Sequence, residues 1–573
     1  MKKNIIYISL LALPLITSVI SCNTDRFPET SVSDGNFWNS AADVRLAANY
    51  FYTTLPGLAE TNDNWSADAY PNNSGNNISD GSRVAPTTSG DYNYYGIFQA
   101  NNLIEKAPKV IAKGADATVV NQYVGEARFF RAWYYFEMFK RFGGVPLITK
   151  TMQIDDPDVF KPRATRDEVL DLIYSDLDYA ISVLRTPDQL STANEYGRIS
   201  NTAALAFKAR VALFEGTRSK YHNYGSPAKH LNIAKECAEK VMSSGQHALF
   251  STPTVGTNGQ KLNDAYYNLF QEKGDGRANK ENIIARIYGV DVNNNVVSHL
   301  TQRIYEGSYI VPTNNFVSRY LMADGLPITK SPLYQAPNAS MTHADFFKKR
   351  DPRMSFTLFK RGDEFIATSD YTTPNPTYQR SGYGIRKYAN KNDWTYQRSF
   401  IDRPVLRYAE VLLTYAEAVY ELNGSISDSD LDRTINLLRA RLPEVNVGTD
   451  ATPNYMAMAK LSNAFVTANG LDMKEEIRRE RRIELAYEGF SYWDLVRWKT
   501  AETELPQTLY GSYLFSEYIT TGGWDASTVV DSNKYIILQP ASARKFDPKK
   551  DYLWPLPTVE IAKNPKIEQN PGW

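Results

Sequence analysis

Cysteine is nearly absent: Cys22 and Cys237 are the two in 573 residues. With Cys22 at the end of an N-terminal apolar segment, the chain offers no disulfide framework. An excess of charge of either sign is also missing. Lys and Arg number 64 and Asp and Glu number 64, so the basic footprint of a nucleic-acid or polybasic membrane binder is lacking. Histidines are few, and His222, His230, His247, His299 and His343 show no HExxH or other close metal-ligand spacing. There is no GxSxG elbow and no P-loop. What is present is a composition of 42% hydrophobic and 22% charged residues, that of a folded globular chain.

The N-terminus reads MKKNIIYISLLALPLITSVISC. Lys2 and Lys3 precede an apolar run over 5–20 that is short for a membrane span, and small Ser21 follows, so 1–21 reads as a secretory signal. No other apolar stretch is long enough to span a membrane. The string VISC resembles a bacterial lipobox. That resemblance implies cleavage before Cys22, lipid on its thiol and a tether over 22–35. The alternative is an ordinary signal with a chance cysteine. Cleavage would remove two lysines and leave 62 basic against 64 acidic residues, a formal charge of −2. Cys237 shares a helical face with Leu231, Ala234 and Val241, and is read as a packing residue.

The body, 36–573, reads as one mainly α domain. The stretch 118–142 places Val120, Tyr123, Val124, Ala127, Phe130, Tyr134 and Met138 at three- and four-residue steps, and Gly143, Gly144 and Pro146 stop it. Thr165 and Glu168 form a capping box before the next helix. Alanine-rich 203–212 lets neighbouring helices approach closely. Later segments, 403–424 with 428–442 and 473–489 with 490–502, repeat the helix-pair pattern. Four such pairs resemble tetratricopeptide units, a scaffold mainly over 118–245 and 403–500. Regions 61–95, 250–400 and 505–573 are rich in Asn, Thr, Pro, Gly and Tyr. They read as loop insertions on that scaffold, and long loops commonly carry function.

The segment RRERRIELAYEGFSYWDLVRW, 478–498, looks chemical. On one helix Glu480, Glu484 and Glu488 would share a stripe. Arg481 stands three before Glu484 and Glu475 four before Arg479, spacings that allow ion pairs; Arg128, Arg131, Glu410 and Glu417 are further candidates across helices. Arginine forks keep carboxylates ionised, whereas a general acid needs a raised pKa. The stripe is therefore expected to be structural. No cofactor is expected. The Asp-rich SISDSDLD reads as a helix-capping loop, with weak calcium binding as the alternative.

Several segments resemble the SusD/RagB family of outer-membrane nutrient-binding lipoproteins: the lipobox, VSDGNFW, GEARFFRAWYYFEMFKRFGGVPLI, RPVLRYAEVLLTYAEAVYELNG, the 478–498 stretch and the closing LWPLPTVEIAKNPKIEQNPGW. The resemblance implies a SusD-like α fold whose loops form a binding face. It also implies a lipid-anchored location on the outer face of the outer membrane, and a SusC-like TonB-dependent transporter as partner. The expected task is noncovalent capture of a glycan, or of a peptide, for uptake; a secreted glycoside hydrolase is the competing class. A sugar presents C–H faces to aromatic rings and hydroxyls to polar side chains. Trp65, Asp68, Tyr70, Asn72 and Asn73 supply that mixture in one loop, with Tyr92, Tyr94 and Tyr95 on its far side. Tyr309, Asn314 and Asn315, and Trp394 with Tyr396, supply it again. Trp38, Trp133, Trp493, Trp498 and Trp554 lie in segments common to the family and are read as packing groups.

Overall fold

A computed structural model describes residues 37–57, 62–71, 76–153, 155–289, 310–366, 369–396 and 399–573. The signal segment, Cys22 and the tether lie outside the described residues. The principal helices are α1 (Ala41–Tyr52), α2 (Tyr95–Ala112), α3 (Ala117–Phe142), α4 (Arg166–Val183), α5 (Asn201–His222), α6 (Pro227–Ser243), α7 (Tyr408–Asn423), α8 (Asp428–Asp432), α9 (Ile435–Arg441), α10 (Met473–Glu484) and α11 (Ser491–Arg497). Four strands matter for the site: β1 (Ala69–Pro71), β2 (Asn282–Arg286), β3 (Ile310–Pro312) and β4 (Arg403–Arg407). No helix among the described residues is long and apolar enough to cross a membrane.

Local sequence sets the helix ends. Asp116 accepts the Thr118 N–H at 2.7 Å and opens α3, and Gly143, at φ +76°, closes it. The Thr165–Glu168 capping box forms as the spacing predicts. Each helix then packs on the next, α2 on α3 and so on through α6 on α7 and α7 on α10, the stacking expected of helical-repeat proteins. Gly216 permits one close approach: a Cβ there would meet Leu231 of α6 at 2.8 Å. Between α3 and α5 the core is aromatic, with Trp133 stacked on Phe207 at 4.7 Å. Trp38, Trp133, Trp493, Trp498, Trp554 and Cys237 are all buried, as their positions predict.

Three local expectations change. Segment 428–442 is not one helix: the chain breaks at Thr434, whose hydroxyl bonds back to the Asp430 carbonyl at 2.5 Å, so α8 and α9 are separate. Helix α10 ends at Glu484, and Tyr487 takes φ +57°, which puts Glu488 in a turn beyond the predicted stripe. Nor are the insertions merely draped on the scaffold. Residues of 310–385 and 509–538 close around Phe316, Tyr320, Phe347, Tyr383, Phe515 and Tyr518 as a second apolar core, joined to α10 through Ile483.

Candidate functional site

The carboxylates of 480–488 are fully committed to the fold. Glu480 meets Arg353 at 2.7 Å and Arg439 at 2.9 Å. Glu484 meets Arg441 at 2.5 Å, Arg407 at 2.8 Å and Arg353 at 3.0 Å. Glu488 meets Arg407 and Lys387, both at 2.8 Å. Glu281 and Asp351 complete the buried set through Arg407, Arg441 and Arg353. Burial alone would push the three glutamates up, yet the surrounding cations hold all three below the ordinary carboxylate value. They are ionised acceptors, unsuited to giving up a proton at neutral pH.

The partners differ from those expected on spacing. Arg481 reaches Asp494 rather than Glu484, and Arg479 reaches Glu476 rather than Glu475. Arg128 and Arg131 bind Asp176 of α4, away from the stripe. Glu410 and Glu417 do pair across helices, with Arg210 and Arg497. Helical spacing shows which pairs are reachable; here the tertiary partners, pre-oriented by burial, take the guanidinium forks.

The loop candidates differ in burial: Asp68 is buried, whereas Trp65 and Tyr70 are half-buried. Trp65 sits edge-on among Trp554, Tyr492 and Trp493, with ring centres 5.0, 5.7 and 6.4 Å away; it packs against the main core. Asp68 is buried, with Arg482 Nε 2.9 Å from both carboxylate oxygens and the Ser491 hydroxyl donating to it. That placement gives Asp68 a structural task the sequence reading did not foresee. Tyr70 is half-buried, and the Arg380 guanidinium lies 5.1 Å from its ring centre, within cation–π range.

Strands β1 and β3 pair antiparallel, Ala69 with Pro312, Tyr70 with Val311 and Pro71 with Ile310. This register joins two loop candidates more than 200 residues apart in sequence. Pro71 and Ile310 form one end of this ribbon, and Asn72 and Tyr309 are their neighbours in the sequence. Asn72, Asn73 and Tyr309 themselves lie outside the described residues. Just past β3, Asn314 accepts the Tyr383 hydroxyl at 3.0 Å. Asn315 is tied to Thr508 and Tyr510.

Segment 379–385 organises this face: Arg380 covers Tyr70, Tyr383 holds Asn314, and Gly384 lies under Phe359 and Tyr371. Trp394 is half-buried against the cluster of Phe359 and Tyr371. Tyr396 lies on the helix Lys391–Tyr396, and its side chain is outside the described residues. Arg380 and Tyr383 were not singled out by sequence, although their loop was; an Arg and a Tyr amid Tyr, Thr and Pro carry no periodic signal. Tyr92, Tyr94 and Tyr95 belong elsewhere, on an apolar cavity of about 500 Å³ shared with Phe98, Phe160 and Ile567.

The SISDSDLD carboxylates have protein partners: Asp430 holds Arg433, Asp432 holds Lys460, and Asp428 accepts the Asn463 N–H. Among the described residues no group of three or more His, Cys, Asp or Glu is arranged to hold a metal ion.

A stacked helical scaffold, a second loop-built core and a ribbon face together define the architecture. The profile of the SusD family matches residues 269–573, and a second, described as starch-binding associating with outer membrane, matches 34–213. The chain belongs to the SusD family. It is 28% identical to SusD-like protein P38 of Formosa agariphila, over all of this chain and 99% of that one. A SusD-like protein of Bacteroides ovatus is 24% identical, over 87% of this chain and 83% of that one. Among solved structures, a SusD-like carbohydrate binding protein from Bacteroides fragilis superposes with a TM-score of 0.70. It is 24% identical and covers 93% of this chain and 100% of its own. A laminarin binding SusD-like protein superposes with a TM-score of 0.57 at 20% identity, over 94% of this chain and 100% of its own.

Proposed function

We propose that this protein captures a glycan noncovalently at the surface of the outer membrane and delivers it to a SusC-like TonB-dependent transporter. It would be held by lipid on Cys22 and would carry out no chemistry on the ligand. Family membership and the carbohydrate-binding relatives support the class. The observation that supports the site is the β1–β3 pairing, which joins Tyr70 to the strand that precedes Asn314. Tyr70 offers a ring with the Arg380 guanidinium against it, and Asn72, Asn73, Tyr309, Asn314, Trp394 and Tyr396 are carried as further candidates on residue type alone. Asp68 acts from behind, holding the ribbon in place, and half-buried Trp65 stays a candidate contact. The arginine-held glutamates favour binding over hydrolysis, since none is poised as a general acid.

Affinity electrophoresis and calorimetry against polysaccharide and peptide panels test the reading. Glycan binding that weakens in Tyr70→Ala, with no release of shorter products, is the expected result. Binding of peptides alone would move the ligand class. Glycan cleavage that stops in Glu480→Gln while the fold persists would make the protein a hydrolase. Membrane fractionation of Cys22→Ala tests the anchor, and co-purification with a TonB-dependent barrel from the same cell tests the partner.

A further inference from the structure

A polar cavity lies inside the scaffold. It measures about 120 Å³ and is walled by Trp133, Phe214 and Trp493. Among the described residues six cationic side chains and four carboxylates line it. The carboxylates are already engaged. Glu137 serves Lys140 at 2.7 Å and Arg141 at 2.8 Å. Glu410 serves Arg210 at 2.6 Å, and Asp494 serves Arg481 at 2.9 Å and Arg497 at 2.8 Å. Glu488 is held from outside the cavity by Arg407 and Lys387.

Two guanidiniums are left short of acceptors. Arg403 is 5% exposed, donates to the Gly57 carbonyl, and has no carboxylate within 4 Å among the described residues. Arg481 is 4% exposed; its Nε serves Asp494, while its buried Nη1 has no hydrogen-bond partner. A buried charge without a full set of partners is costly, and guanidinium donors are matched by anions. Burial, opposed by Glu137 and reinforced by Arg141 and Arg210, brings Lys140 down to about 8.

We propose that this cavity binds one small monovalent anion, of the chloride type, between Arg403 of β4 and Arg481 of α10. The ion would join the strand that follows the second loop region to the helix that carries the acidic network. It would also sit beside Pro56 and Asn62, which line the same cavity on the approach to Trp65 and the ribbon. The site is independent of the ligand on the ribbon face.

Two measurements on the mature protein decide it. In crystals grown in sodium bromide, an anomalous peak is expected in the cavity within hydrogen-bonding reach of Arg403 and Arg481. In solution, the Tm is expected to rise saturably as sodium chloride replaces sodium gluconate at constant ionic strength, because a ligand that binds only the folded state stabilises it. Arg403→Met is expected to move half-saturation to at least about tenfold higher chloride, the loss of one charged hydrogen bond, while Arg403→Lys retains part of the response. Ordered water, or a carboxylate of the chain itself, in place of the peak overturns the proposal. So does a peak without a chloride-dependent Tm, which would be binding at crystal concentration only. If Arg403→Met does not fold, the two wild-type measurements still decide.

Discussion

Arg482 of α10 and Asp68, 414 positions apart in the chain, form a forked ion pair, with Arg482 Nε 2.9 Å from both oxygens of Asp68. Arg482 also reaches Glu504 at 2.7 Å. Through this pair the helix that anchors the buried charge network also holds the residue immediately before β1. The ribbon face is therefore positioned by the scaffold rather than by its own short strands, which at three residues each could not stand alone.

Asp68→Asn should loosen that hold. Removing one partner of a buried pair costs about 3–5 kcal/mol, part of it recovered here through Glu504. The expected outcome is a lower midpoint in chemical denaturation together with weaker glycan binding. Unchanged denaturation would remove Asp68 from the framework.

Tyr70→Ala and Arg380→Ala should weaken glycan binding with little change in stability, since both side chains are only half-buried. Loss of an aromatic platform or its cation costs on the order of 1–2 kcal/mol, roughly tenfold in Kd. Calorimetry separates this from Asp68→Asn: here affinity falls while the denaturation midpoint holds.

Glu484→Gln should destabilise without touching affinity. Arg353, Arg407 and Arg441 all converge on that carboxylate, so neutralising it leaves buried cations in excess, at about 3–5 kcal/mol. A variant as stable as the parent would show that the network carries no net stability.

Stability should fall on both sides of a middle pH range. Although burial pushes Glu417 and Glu137 up, Arg497 holds the first, and Lys140 with Arg141 the second, at about 2 in the folded state against 4.5 unfolded. Their contribution is present above about 4.5 and is lost as pH falls toward 2. Asp63 and Asp275 go the other way. Burial, with the charges of Asp68 and Asp402 respectively, raises them to about 7 and about 8 from 3.8. Their contribution is complete below 3.8 and lost as pH rises through 7 to 8. Melting temperatures across pH 3–9 check both limbs, and Asp275→Asn should flatten the upper one.

Cys237 should resist thiol reagents in the folded protein at pH 8, because burial pushes its thiol up to about 11. One equivalent of Cys237 should react on unfolding in a form with Cys22 replaced. Rapid native labelling would contradict its place against α5.

The helices were legible in the sequence because their signals are local. Thr165 and Glu168 make a capping box within one turn, Gly143 supplies a left-handed stop, and the apolar steps of 118–142 match one helical face. The structural reading of the 480–488 carboxylates was legible too, since arginines interleave them. Which arginines answer them was not: Arg353, Arg407, Arg439 and Arg441 lie 41 to 131 positions from the carboxylates they meet, and spacing along one helix says nothing about contacts closed by packing.

The same boundary divides the ribbon face. Sequence alone determined that aromatic and amide side chains gather in loops 61–95 and 250–400. Only the tertiary structure decided which of them remain available. Asp68 resembles a ligand contact in one dimension, yet Arg482 and Ser491 enclose it, while Trp65 is half-buried with its ring edge-on to three others. Tyr70 stays half-open, beneath an arginine 310 positions later. A side chain's chemistry is written in its residue type, but whether it spends that chemistry on the fold or on a ligand depends on the neighbours that burial brings to it.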